Sequence, residues 1–349
     1  MTTCWAYPTL PANSTSLQAD PRFSMDISVL HHRINDIDMY VSTMRALNFL
    51  AWTDNYDGQQ APTDWSFRTV VCHVDGSPPR PSARMNIRLL IMGIFQAVHF
   101  YHTQHQVLEG IFTVKYDRIP HATIFISGLL APQNNSTGEY FDMLKASNVS
   151  NAQSASLAPI YVTRTPSNPS MIGDDESESS HMNTTTTSDA PYTSIERIND
   201  DFAISDLPIE SSTLLTRAPG NAVNIEINVD FNTRRPLRYQ DMFYLIAGTY
   251  QYLAADGKQR RTEDTEITPE DSVLSLRFVP TLPRPGESFL RNVHVLRALI
   301  RIVDVMVSRQ QYYKLRAGIT LVKDGQRTDL GRVDIYRHVG SDNLGLSAQ

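Results

Sequence analysis

Cysteine is nearly absent: Cys4 and Cys72 are the only two in 349 residues. Two are too few for a disulfide framework, and neither sits at metal-ligand spacing. No apolar run is long. The longest, residues 89–95, extends with two interruptions to Tyr101, short of the roughly 18 apolar residues that a membrane-spanning helix requires. Lysine is scarce too, 5 against 26 arginines; arginine favours planar, bidentate contacts with carboxylate or phosphate and stacking on aromatic rings. The chain lacks GxSxG, HExxH, a CxxC pair, GxGxxG and zinc-finger spacing. These absences remove the well-known catalytic and metal-binding classes, and no cofactor or metal is expected.

Residues 1–18 have neither a basic stretch nor an apolar one, so no secretory signal is expected. Sequons at Asn13, Asn135, Asn148 and Asn183 then read as chance matches in Ser/Thr-rich stretches. An intracellular, cytoplasmic protein without a membrane partner is the expectation.

What is present is enough apolar content, 41% of 349 residues, to build cores for two domains. Charge is uneven: residues 1–130 carry net −1, residues 131–220 net −8 and residues 221–349 net +3. The acidity belongs to the middle segment.

Internal similarity runs between the two ends. Pro79-Arg80-Pro81 returns as Pro283-Arg284-Pro285, a few residues before a long apolar helix. The run beginning Gly110-Ile111 and ending Val114-Lys115 returns, after that helix, as Gly318-Ile319 to Val322-Lys323. The offsets are 204 and 208, which implies about one extra helical turn in the second copy. Alternating strands at 25–34 and 223–231 precede helices at 38–52 and 239–254, the first capped by Asp38. Polar loops at 54–64 and 256–271 lead to strands at 65–74 and 273–282. Long helices at 83–105 and 287–312 follow, then strands at 110–116 and 121–127, or 316–323 and 330–337. Asp324-Gly325 signals a tight hairpin, and Ile119-Pro120 is read as the turn of the first copy.

Each copy therefore reads as β-α-β-α-β-β, an α/β (α+β) unit with both helices on one face of a small mixed sheet. Its second helix carries more apolar surface than one sheet covers; in the second copy only Arg291, His294, Arg297, Arg301, Asp304 and Ser308 form a polar stripe. The surplus predicts an intramolecular pseudo-dimer, two-layer sandwiches joined through their long helices. The expected domains are an arm (1–22), repeat 1 (23–130), an acidic Ser/Thr-rich linker (131–220), repeat 2 (221–340) and a tail (341–349). Composition predicts disorder near 165–190, where residues 174–180 could also accept phosphate. A helix at 138–146, a strand at 156–164 and a docked segment at 195–207 are expected on its flanks.

Few residues suggest chemistry. His99, His102 and His105 stand at steps of three, but no acid or cysteine accompanies them, so a macrodipole role outweighs metal binding. His31 with Asp36 at a strand end could act as a general base. Arg80 and Arg284 precede helix starts and are candidate anion ligands. The leading expectation is a non-enzymatic interaction or assembly protein that binds a protein partner or itself. The alternative is an enzyme of unrecognised class with a site between the repeats, drawing on His31, Asp36, His73, His99, Tyr101 and Tyr250. Third is RNA or DNA binding. The element order is similar to that of the Alba chromatin proteins, but Asp324, Asp329 and Asp334 interrupt the basic residues of the final hairpin, so nucleic acid is the weaker partner class.

Overall fold

Period-2 alternation turns into strands, and each buries the residues that the alternation selects. The computed structural model describes residues 14–17, 20–53, 55–76, 80, 83–104, 106–129, 153–155, 160–164, 224–283, 288–323 and 326–337. In chain order the elements of the first part are β1 (Ser14–Leu17), β2 (Phe23–Arg33), α1 (Asp36–Ala51), β3 (Gln59–Gln60), β4 (Thr63–Phe67), β5 (Val70–Gly76), β6 (Met85–Asn86), α2 (Ile87–Thr103), β7 (Leu108–Tyr116) and β8 (Ile119–Gly128). Then come β9 (Gln153–Ala155), β10 (Ile160–Arg164), β11 (Asn224–Pro236), α3 (Tyr239–Asp256), β12 (Thr265–Pro269), β13 (Leu274–Pro280), α4 (Asn292–Arg309), β14 (Tyr313–Lys323) and β15 (Gln326–Arg337). The fold is mixed α+β. Among the described residues no helix is long and apolar enough to cross a membrane.

Six strands form one sheet in the order β4-β5-β8-β7-β2-β9, and seven form another in the order β1-β10-β12-β13-β15-β14-β11. β3 and β6 make a separate small pair. Every pairing is antiparallel. The mixed sheet expected from β-α-β crossovers is therefore replaced by antiparallel ones, because each half has one strand more than its sequence suggested. In the first half, the stretch read as one strand is a hairpin: β4 and β5 join through Arg68-Thr69, with Arg68 at φ 48°. In the second half, β12 lies inside the stretch read as a polar loop; it buries Thr265, Ile267 and Pro269 and turns Glu266 and Thr268 outward. Five residues with three polar side chains leave too short an alternation to stand out.

Local signals set the element ends. The N-cap of α1 is Asn35, whose side chain accepts from the Asp38 backbone N–H at 3.0 Å. Asp38, expected to be that cap, instead accepts from the backbone N–H (3.2 Å) and hydroxyl (2.6 Å) of Thr69, fastening the β4–β5 turn to α1. Asn86 caps α2 in the same way, accepting from Leu89 N–H at 3.2 Å. The β7–β8 hairpin turns at Asp117-Arg118, both at positive φ (50° and 66°), rather than at Ile119-Pro120. That pair of left-handed residues matches the twist of the flanking strands. Residues 324–325 lie outside the described residues; Lys323 and Gln326 pair on either side of them.

Two details differ from the internal similarity. α2 has 17 residues and α4 has 18, so the second is longer by one residue and not by a turn. The Gly-Ile to Val-Lys runs fall on corresponding strands, β7 and β14, but face opposite ways. Gly110 points inward, where a Cβ would meet the Tyr101 hydroxyl at 2.5 Å, whereas Gly318 lies between the buried Ala317 and Ile319 and faces out. Counted from the hairpin ends, Tyr116 corresponds to Lys323, an offset one less than the runs imply.

The helices lie between the two sheets. α1 packs on β4 and β5, α2 on β7 and β8, α3 on β12 and β13, and α4 on β11 and β14. Among themselves, α1 packs on α3, α2 on α3 and α1 on α4. The two halves thus meet chiefly through α1 and α3, not by pairing of the long helices α2 and α4. α3 is buried on all sides from Asp241 to Ala254, the state expected of a helix at the centre of a core. Two of its polar groups find backbone partners: Thr249 donates to the Leu245 carbonyl at 2.9 Å, and Tyr244 to that of Glu270 at 3.0 Å.

Of the expected linker, the described parts are strands. β10 extends the seven-stranded sheet beside β12, and β9 adds to the edge of β2. β10 realises the strand expected near 156–164. The expectations for 138–146, 165–190, 174–180 and 195–207, and for the Pro79-Arg80-Pro81 and Pro283-Arg284-Pro285 loops as wholes, fall on segments outside the described residues.

Candidate functional site

The sequence candidates are distributed over several places. His31 is exposed near the end of β2. Asp36, in the first turn of α1, accepts a hydrogen bond from Tyr239 of α3 at 3.0 Å, so it joins the two halves and is separate from His31 in its contacts. His73 lies on the outer face of the six-stranded sheet. There it bonds Asp64 through Nδ1, approaches Asp75 at 3.6 Å and rests 5.7 Å from the Phe125 ring. Burial disfavours its charged form, but the two carboxylates outweigh this and raise its pKa above the ordinary 6.5. Tyr101 is buried and donates to the Leu108 carbonyl at 2.8 Å. Tyr250 is buried on α3, and its hydroxyl has no hydrogen-bond partner among the described residues. Arg80 is exposed, and Arg284 is outside the described residues.

The densest polar cluster lies where α2 meets α3. His102 Nε2 sits 2.8 Å from Asp241 Oδ1, with both side chains about nine-tenths buried (11% and 10% exposed). Tyr244 stacks against three α2 side chains, with ring centroids 4.6 Å from His102, 5.2 Å from His99 and 5.6 Å from Phe95. Those α2 positions recur at steps of three or four, as one face of a helix requires. On the other side of α3, Phe243 stacks on Tyr40 of α1 at 5.1 Å with planes 3° apart. Nε2 of His99 and Nδ1 of His102 are buried without a partner among the described residues. Among the described residues no group of three or more His, Cys, Asp and Glu is placed to hold a metal. His105, the third histidine of the series, is outside them.

Sequence reasoning singled out His99 but missed Asp241 and Tyr244. The usable signal was the i,i+3 spacing of His99 and His102. Their partners come from a helix more than a hundred residues away, and no local pattern announces them.

A second polar cluster closes over the end of α3. Asp256 accepts from Arg164 (2.9 Å), Arg260 (2.7 Å) and Asn292 (3.0 Å). The shallow depression there, lined by Tyr252, Glu263 and Thr265 as well, is occupied by this network. Chemically, both clusters hold elements together.

No family model, curated protein or solved structure matches this chain. Its function has to be argued from its own geometry.

Two histidines make stability sensitive to acid. Burial, with His102 nearby, lowers the pKa of His99. Burial, followed by the charges of Arg297 and Arg291, lowers that of His294 to about 4. Neutral His294 accepts the Arg291 backbone N–H through Nδ1 at 3.2 Å and so helps start α4. A depressed folded pKa means that the unfolded chain takes up the proton first. This contribution is full above the ordinary 6.5 and is lost as pH falls toward about 4. Urea midpoints of the protein should therefore drop between these values, and His294→Gln should make the drop shallower. An unchanged pH slope in that variant would remove His294 from the account.

Proposed function

We propose that the chain is a non-enzymatic interaction and assembly protein, an intramolecular pseudo-dimer of two copies of one β-α-β-β-α-β-β unit. The observation that carries this reading is strand order: β4-β5-β8-β7-β2 in one sheet and β12-β13-β15-β14-β11 in the other follow the same path through the unit. Helix packing supports it. A two-fold relation exchanges α1 with α3 and α2 with α4, so it turns the α2–α3 contact into the α4–α1 contact, and both occur. That reciprocity is the mark of a two-fold interface. The shared interior is filled by side chains from all four helices, which favours function at the surface.

The sheet edges suggest where a partner sits. On the outer edge of β2 the chain adds β9, pairing Met25 to Ala155 and Ile27 to Gln153. The corresponding edge of β11, a strand of 13 residues, carries no strand among the described residues. A long edge offers a row of backbone donors and acceptors to another chain. A second copy pairing along β11 would complete there what β9 completes beside β2. Light scattering during size exclusion, from about 1 to 100 µM protein, tests this in the affinity range of reversible pairing. Self-association is expected, and Asn228→Lys with Asn232→Lys should shift it toward monomer, because lysines on an edge oppose pairing. A strict monomer throughout that range would overturn the proposal.

A further inference from the structure

We infer that the arginines at the start of α4 and in the segment that follows α3 form a docking surface for a carboxylate-rich protein segment. This goes beyond the proposed self-assembly, which involves the β11 edge, and does not rest on it. Several arginines elsewhere face an acid: Arg316 and Arg332 share Asp334, Arg277 pairs with Asp264, Arg327 with Glu226, and Arg164 with Asp256. Arg261, Arg291 and Arg297 make no ion pair among the described residues.

These three are held by aromatic rings. The guanidinium carbons of Arg261 and Arg291 lie 5.5 and 4.9 Å from the centroid of Phe289, and that of Arg297 lies 5.1 Å from the Trp52 ring. Lys258 adds its charge over the same Trp52 ring, at 6.0 Å, while donating to the Trp52 carbonyl. Arg261 and Arg291 are exposed and joined by an isolated antiparallel backbone bridge. A guanidinium lying against a ring has its position fixed; Arg291 also donates one N–H from Nη1 to Gln259 Oε1 at 3.2 Å, and the remaining N–H groups can meet a planar oxyanion. His294, half-buried between Arg291 and Arg297, has its pKa lowered first by burial and then by the charges of these two arginines.

Two observations favour carboxylates on a protein over a nucleic-acid backbone. Phe289 and Trp52 already carry guanidinium or ammonium groups, whereas single-stranded nucleic acid needs free ring faces on which to stack bases. The neighbouring sheet face also breaks the positive field: along one register, Asp230, Arg316, Asp334, Arg277 and Glu266 alternate in sign across β11, β14, β15, β13 and β12. A basic stripe able to follow a phosphate backbone is thus interrupted.

The test uses the full chain and two fluorescent probes, a decaglutamate peptide and a uridine decamer, followed by anisotropy. Decaglutamate should bind, should weaken as salt rises, and should lose about tenfold or more in affinity in the double variant Arg261→Glu, Arg291→Glu. Both side chains are exposed, and an unchanged thermal midpoint would show that the variant is folded. Arg332→Gln, on the paired sheet face, should bind as the parent does. Three results would each overturn the inference: no binding of decaglutamate, equal or tighter binding of the uridine decamer, or an affinity untouched by the double charge reversal.

Discussion

Replacing Phe243 by alanine should lower the unfolding free energy by about 3–5 kcal/mol and displace one shared transition for both halves. Phe243 is fully buried on α3, stacked on Tyr40 of α1 and 6.2 Å from the Tyr312 ring. Removing its ring leaves a cavity between the halves, and fully packed surroundings relax only in part. The residue belongs to the second half, whereas the tryptophans, Trp5, Trp52 and Trp65, all precede the middle segment. Tryptophan fluorescence thus reports on the first part of the chain and, through Trp52 beside Lys258 and Arg297, on its contact with the second, and far-ultraviolet dichroism on the whole. In urea the two signals should shift to lower midpoints together. A dichroism midpoint that moves while fluorescence stays in place would mean that the halves unfold separately.

Gly331→Ala should be comparably severe, about 3 kcal/mol or more from two additive causes. Gly331 has φ of 141°, a backbone state that side-chain-bearing residues rarely adopt, and strain of this kind costs roughly 1–3 kcal/mol. A Cβ there would also lie 2.5 Å from the Val279 carbonyl oxygen and 2.9 Å from the Pro280 Cα. Both are backbone atoms of β13, so relief requires β13 and β15 to part, whereas a flexible side chain could simply have turned away. Gly318→Ala, with open space around its Cβ, is the matched control and should cost far less. Equal urea midpoints for the two variants would contradict this argument.

Most elements were legible because burial and alternation act locally. The helices and long strands follow apolar spacing within a few residues. What escaped depends on distant partners or very short runs. β12 is too brief to declare itself, and the β4–β5 hairpin turns on Arg68-Thr69, with no glycine to mark it. Asp38 looks like a cap until Thr69 arrives across the fold to take its carboxylate. The centrality of α3 was hidden because Asp241, Thr249 and Gln251 give it the look of a half-exposed helix, whereas His102 and a backbone carbonyl satisfy the first two inside. The Gly-Ile to Val-Lys similarity shows the opposite hazard. It marked the right strands, yet in alternate registers, so strand order is the firmer ground for a two-fold relation.

β9 and β10 belong to different sheets, although only four residues separate Ala155 from Ile160. Five virtual bonds span at most about 18 Å. β9 is thus fastened to β2 in one sheet and β10 to β12 in the other. The facing ends of β9 and β10 cannot lie further apart than that unless one of these short strands is peeled from its neighbour. Any separation of the sheets beyond that reach has to unpair β9 or β10, and β9 holds by three residue pairs against five for β10 on β12.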